Sequence, residues 1–393
     1  MASSPTMEAA MLIRNKDYLL VTMDAETFYD KGYSLTAMNT FEYASDPRFS
    51  IHGWGVKIED GPAIWYRDTE EALNAIEAAA DGKPVAMVCH NTYFDGWLLH
   101  KHFDWHPDLY IDTMGMSRGM FPTERASLEK LCERLWPNDK KMRKGKELIQ
   151  FKGVTTEQLW ANPAMEQAMI GYCCGTTRAP GDVELTYAAF CRMLPFYPDR
   201  ELELIHLTLQ MMCEPLLMID VPRVIQCRDN AIAERNRIIR DSGLSETLLS
   251  SNTQFEKWIR AQGLPVPLKP SPTQTVKDDQ GNEVMDDNGD PVPVMIPALG
   301  KSDLGFQGLR KEHPEFEHVW AGRIAAKSVG EITRAERFIA TAEQCDGFMP
   351  VALMYYSAHT GRYGGGEKLN LQNLGRGSEL RRSLCVPTRE VRL

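Results

Sequence analysis

Tyr18-Leu19-Leu20-Val21-Thr22-Met23-Asp24-Ala25-Glu26 is the stretch on which the reading of this chain turns. Its apolar run reads as a strand, and it closes on two acids one residue apart. Side chains at i and i+2 of a strand share a face, so Asp24 and Glu26 point the same way. Two carboxylates on one face repel unless a cation sits between them, and hard oxygen ligands favour Mg²⁺ or Mn²⁺. A second apolar run, Val85-Ala86-Met87-Val88, leads to Asn91 and Asp95. Two strands that each deliver carboxylates at their C-terminal ends predict a divalent-metal site, an arrangement suited to cutting phosphodiesters.

Outward from that stretch, strand and helix patterns alternate over about the first half of the chain, which predicts an α/β domain. Strands are expected at Tyr18–Met23, Ile51–Lys57, Ala63–Tyr66 and Val85–Cys89, and helices at Glu70–Ala80, Phe94–His102, Ser127–Leu135, Met165–Tyr172 and Asp182–Leu194. Thr69-Glu70-Glu71 and Ser127-Leu128-Glu129 carry the hydroxyl and early acids of helix starts. From about Pro195 the pattern turns mostly helical, with Glu201–Glu214, Val224–Ser242, Phe255–Gln262, Glu315–Lys327 and Glu331–Thr341 spaced as helices. Leu216–Asp220 reads as a short strand, and Pro265 to Pro297 as an exposed loop or hairpin. Asp286-Asp287-Asn288-Gly289 within it lacks the glycine offset of an EF-hand and reads as a solvated turn.

The chain has 393 residues, enough for roughly two or three domains with their own cores. No apolar run reaches the about 18 residues of a membrane span, and the first ten residues lack a secretory pattern, so a cytoplasmic protein with a disordered leader is expected. The nine cysteines are scattered without a C-x-x-C pair, which argues against zinc and against a disulfide framework; buried thiols are expected. The net charge of −10 is weak evidence against a nucleic-acid partner, because binding depends on local patches. The stretch from His359 is basic: Arg362, Lys368, Arg376, Arg381, Arg382, Arg389 and Arg392 outnumber Glu367, Glu379 and Glu390.

Residues 18–190 resemble the DEDD superfamily of 3′–5′ exonucleases, in particular the proofreading domain of family A DNA polymerases. Asp24-Ala25-Glu26, followed by Thr27, matches the first motif, and Asn91-Thr92-Tyr93-Phe94-Asp95 the second. Ile111-Asp112-Thr113 stands where the family has a further strand. The third motif, Tyr-x-x-x-Asp on a helix, corresponds to Tyr172 and to Asp182-Val183-Glu184, with Thr176 to Gly181 inserted between the halves. Pro180 and Gly181 interrupt a helix, so Asp182 is expected to begin a new one after a loop. The resemblance implies a ribonuclease H-like mixed sheet with flanking helices. It implies that Asp24, Glu26, Asp95 and Asp182 hold two Mg²⁺ or Mn²⁺ ions, that Tyr172 orients the attacking water, and that Thr27 and Asn91 contact DNA.

From Ser250 onward the chain resembles the polymerase part of family A enzymes, in the phage-type branch. Asn252-Thr253-Gln254-Phe255, Pro297 to Asp303 and Arg323-Ile324-Ala325-Ala326-Lys327-Ser328 look like its thumb. Tyr355-Tyr356-Ser357-Ala358-His359-Thr360-Gly361-Arg362, running on through Leu369-Asn370-Leu371-Gln372-Asn373, is similar to its first polymerase segment. The resemblance implies DNA contacts from Arg323, Lys327, Arg362, Asn370, Gln372 and Asn373, since Arg binds phosphate through a fork of donors and amides bond to base edges and sugars. Gly300-Lys301-Ser302 is not a phosphate loop, because Met295 stands where a glycine is required. Gly364-Gly365-Gly366 is compatible with a flexible turn.

The expected organisation is a leader over 1–14, an exonuclease domain over 15–195, a thumb-like helical region over 196–350 and the start of a palm over 351–393. The chain ends before the family's first catalytic polymerase Asp, so no polymerisation is expected from it alone, and a second polypeptide carrying palm and fingers is the expected partner. The leading expectation is a metal-dependent proofreading 3′–5′ exonuclease on DNA, acting on single-stranded 3′ ends and primer-template in replication. The alternative is a catalytically inactive DNA-binding subunit of a split polymerase. An RNA-trimming relative is the third reading.

Overall fold

The computed structural model describes residues 12–13, 16–145 and 147–386. Most of the expected leader lies outside the described residues, as do Arg389, Glu390 and Arg392; within it, β1 (Leu12–Ile13) pairs antiparallel with β2 (Lys16–Asp17). One compact unit combines the chain up to Val221 with the chain from Ala340 onward, and the second is Pro222–Ile339.

The first unit is built on a mixed five-stranded sheet in the order β5-β4-β3-β6-β7. Its strands are β3 (Leu19–Thr27), β4 (Ile51–Ile58), β5 (Ile64–Tyr66), β6 (Val85–Cys89) and β7 (Leu109–Asp112). β3 is antiparallel to β4 and parallel to β6, and β6 is parallel to β7. All of β6 is buried, as expected of a parallel strand covered on both faces. β3 runs past the apolar stretch to Thr27, because Asp24, Glu26 and Thr27 all pair with β4. The two acids therefore lie within the strand rather than at its end.

Helices cover the sheet. α1 (Thr40–Ser45) opens with a reciprocal cap between Asn39 and Glu42. α2 (Thr69–Ala80) is capped by Asp68 and buries Ala72, Leu73, Ile76 and Ala80, one face at helical spacing. α3 (Thr92–Phe103) follows β6, α4 (Thr113–Met120) is capped by Asp112, and α5 (Leu128–Leu135) by Ser127. After α6 (Thr156–Ala161) come α7 (Pro163–Cys173) and α8 (Asp182–Met193). α9 (Asp199–Cys213) packs on β7 and α3, burying Leu202, Ile205, Leu209 and Met212. That burial, together with the pairing of Met218–Ile219 with Leu384–Cys385, keeps the chain past the expected boundary at 195 within the first unit.

Gly55 determines how α7 and α8 approach the sheet. It pairs with Asp24, and a Cβ there would lie 2.5 Å from Cys173 Sγ and 2.8 Å from Val183 Cγ2. The missing side chain thus lets the α7–α8 junction reach the strand that carries the acids. Gly55→Val is expected to force this junction outward and to destabilise the unit by about 1–3 kcal/mol, the usual cost of overpacking, read as a lower urea midpoint.

The second unit contains α10 (Val221–Asp241, from Pro222), α11 (Glu246–Ser250), α12 (Asn252–Ala261), α13 (Leu304–Glu312), α14 (Glu317–Lys327) and the part of α15 (Gly330–Gln344) up to Ile339. Its core gathers Leu249, Phe255, Ile259, Phe306 and Trp320. Phe306 meets Trp320 edge-on at 5.8 Å between centroids, a favoured aromatic geometry. The segment read as a loop or hairpin is a hairpin, Leu268–Thr275 pairing with Pro293–Pro297. No described helix is long and apolar enough to cross a membrane. No disulfide joins described cysteines, and Cys89, Cys132, Cys173, Cys174, Cys213 and Cys345 are buried.

Candidate metal centre

β3, α3 and α8 bring their acids toward one place. Strand alternation sets Asp24 and Glu26 on one face of β3. Asp95 comes from the first turn of α3, inside the helix expected over Phe94–His102, which starts two residues earlier, directly after Asn91. Asn91 adopts the left-handed conformation, φ 82°, and its N–H donates to Asp112 Oδ1 at 2.9 Å. This turn aims Asp95 back at the sheet, where Ala25 N–H donates to Asp95 Oδ1 at 3.0 Å. Asp112 also accepts from Met114 N and Gly115 N, so it holds the fold beside the site.

The inserted residues form a closed loop. Thr176 N–H donates to Ala179 O at 2.8 Å, and Thr176 Oγ1 accepts from the N–H groups of Arg178 and Ala179. A Cβ on Gly181 would lie 2.3 Å from Gly175 N and 2.4 Å from Cys173 O, so the loop returns to where it left. α8 can therefore start with Asp182 next to the end of α7, and both Asp182 and Tyr172 are buried. Glu184, one residue further than the acid's neighbour, anchors α8 through Lys57 Nζ at 3.2 Å.

Lys144 links the halves of the interrupted motif. Its ammonium donates to Tyr172 Oη at 2.7 Å and to Asp182 Oδ2. Sequence reasoning missed it, because Lys140-Lys141-Met142-Arg143-Lys144 reads as a solvated basic run with nothing to mark which lysine turns inward. Cys173 was missed as well. Its Sγ lies 4.0 Å from Asp24 Oδ2, and the donor atoms of Asp24, Glu26 and Cys173 all fall within 4.8 Å of one another.

Burial pushes the Glu26 and Asp95 carboxyls well above the ordinary carboxylate range, with the charge of Asp24 as the second cause for each. Burial raises Asp24 too, opposed by Lys144, and it pulls Lys144 below the ordinary lysine range against the attraction of Asp24 and Glu26. Glu26 Oε1 and Asp182 Oδ1 are buried and have no hydrogen-bond partner among the described residues. Orphaned carboxylate oxygens amid mutually repelling acids are the donor set that a hard divalent cation satisfies, so the residues fit such an ion.

A carboxyl whose pKa is raised by folding binds more protons folded than unfolded. Its stabilising contribution is complete below its ordinary value, 3.8 for Asp24 and 4.5 for Glu26, and is lost as pH rises through the folded value. In chelator the melting temperature is therefore expected to fall as pH rises above the ordinary carboxylate range, more steeply than in an Asp24→Asn/Glu26→Gln variant. Added Mn²⁺ is expected to raise the wild-type melting temperature most at the higher pH. Equal slopes for the two proteins would refute this.

The other expected site residues divide. Thr27 Oγ1 shares a hydrogen bond with Tyr43 Oη at 2.8 Å. Arg362, Asn370, Gln372 and Asn373 are exposed in the first unit. Their segment is fixed by Tyr355, whose hydroxyl donates to Glu201, and by Glu367, which accepts from Thr40 N–H at 2.6 Å. Gly364-Gly365 is no flexible turn: it pairs with Leu353–Met354, and a Cβ on Gly364 would lie 2.3 Å from Ser357 Oγ. Lys327 is exposed in the second unit. Arg323 is not a surface phosphate contact. It is 2% exposed, donates to Leu249 O and Asn252 Oδ1, and lies over the Phe255 ring at 4.8 Å.

No protein-family model and no curated protein matches the chain. Among solved structures it is similar to the POL domain of Pol1 from M. smegmatis, in complex with DNA primer-template and dNTP, with a TM-score of 0.52 and 14% identity. The match covers 95% of this chain and 56% of that one, so the chain spans just over half of its neighbour's length. The likeness is one of fold: a mixed α/β sheet with many helices, similar to a polymerase domain.

Proposed function

We propose that this chain is a metal-dependent nuclease of the ribonuclease H-like, DEDD exonuclease type, which removes nucleotides from DNA 3′ ends beside a family A polymerase region. What supports the reading is that Asp24 and Glu26 share one face of β3, that Asp95 accepts from Ala25 N–H between them, and that Glu26 and Asp182 carry orphaned buried oxygens. These four side chains would hold Mg²⁺ or Mn²⁺, which when bound supplies an activated water and neutralises charge on the leaving oxygen. Tyr172 is buried, and burial raises its pKa above the ordinary tyrosine value, so its hydroxyl keeps a proton with which to orient a water or phosphate oxygen. Asn91 and Thr27 flank the acids and would meet the DNA strand. Arg362, Asn370, Gln372 and Asn373 offer a fork of donors and amides to primer-template DNA, and Lys327 a separate cation.

A non-catalytic DNA-binding subunit is the second reading, favoured by the Lys144 contact on Asp182. Incubation of the chain with 5′-labelled single-stranded DNA and Mg²⁺ or Mn²⁺ separates the two. Stepwise shortening from the 3′ end that chelator abolishes is the expected result. Intact DNA that is nevertheless bound would overturn the nuclease reading in favour of the subunit.

A further inference from the structure

We infer that Lys144 is a tethered cation that competes with divalent metal for Asp182, so that metal loading requires its side chain to swing out of the site. The inference rests on the metal-dependent reading above. The ammonium contacts Asp182 Oδ2 and, at 2.7 Å, the Tyr172 hydroxyl, so it holds the third-motif acid with the charge a metal would bring. Its field also reaches Asp24 and Glu26. One cation thus serves three acids, and it leaves Glu26 Oε1 and Asp182 Oδ1 without partners.

The contact is also built to be broken. Lys144 lies on a segment that is neither helix nor strand, between Leu135 and Glu147. The neighbouring Arg143 fixes that segment, donating from Nη1 to Trp136 O at 2.9 Å and to Asp139 O at 2.8 Å. The backbone is therefore held, and opening the contact falls to the lysine side chain. That side chain is 27% exposed against 8% for Asp182, so the lysine borders water and the acid does not. Lysine is a strongly hydrated point charge on a flexible stem, suited to exchange between a carboxylate and solvent. A like charge brought to the same carboxylate must displace it or bind more weakly.

Mn²⁺ binding to the full chain, followed by the loss of the free-ion electron paramagnetic resonance signal, tests this without any turnover. Lys144→Met and Lys144→Gln are compared with wild type, with far-UV circular dichroism to verify the fold. Gln keeps a hydrogen-bond donor for Asp182 and Tyr172 but removes the charge. Both variants are expected to bind Mn²⁺ roughly tenfold or more tightly than wild type. That gain should vanish when Asp182→Asn is added to each. Folded variants that bind Mn²⁺ as wild type does, or more weakly, would overturn the competition while leaving the metal site standing. Absence of Mn²⁺ binding in every folded protein would overturn the metal-dependent reading and the inference together.

Discussion

A chain carrying Asp24→Ala and Glu26→Ala is expected to lose metal-dependent 3′ shortening of DNA by roughly 10³-fold or more, equivalent to about 4 kcal/mol of barrier. Both carboxylates sit on one face of the central strand of the sheet, and both have Cys173 as neighbour, so one double substitution removes the side of the cluster that β3 supplies. Asp95 and Asp182 cannot take over, because they come from α3 and α8 and leave the face of β3 without a carboxylate. The fold is expected to survive, since a half-buried and a buried acid that repel each other are replaced by a small uncharged residue. An unchanged or higher melting temperature in chelator is the accompanying result. Shortening at the wild-type rate by the folded double variant would put the chemistry elsewhere in the chain.

Arg323→Ala is expected to destabilise the second unit by about 3 kcal/mol, with no loss of DNA affinity once the protein is folded. The substitution strands Leu249 O in a buried place, takes a partner from the exposed Asn252 and removes the aliphatic and guanidinium packing over Phe255. A lower urea midpoint alongside unchanged binding, measured below the transition, checks both parts. Weakened, less salt-dependent DNA binding at unchanged stability would instead restore the phosphate role that the sequence suggested. Val319, Gly322, Arg323 and Ala326 are buried along one stripe of α14, so the arginine occupies a core position; Lys327 continues the same spacing but is exposed as the last residue of the helix.

Short-range pattern was enough wherever a local rule decides the outcome. The apolar runs around Leu19, Ile51 and Val85 became strands of one sheet, and Asp24 and Glu26 share a face because side chains alternate along a strand. Ser127 caps its helix, and Pro265 to Pro297 folds back as a hairpin, as its turn residues require. The end of α7 and the start of α8 were also legible, since Pro180 and Gly181 cannot sit inside a helix.

Long-range contact decided the rest. Nothing within a few residues of Lys144 distinguishes it from Lys140 or Lys141, and its partner Asp182 is 38 positions away. The attachment of α9 to β7 likewise depends on residues far along the chain. Side-chain periodicity and caps specify which segments are strands and helices and which acids share a face, and both are written in neighbouring residues. Which cation meets those acids and which arginine is buried follow from the completed fold, because the energy of a charge depends on the groups and the water left around it.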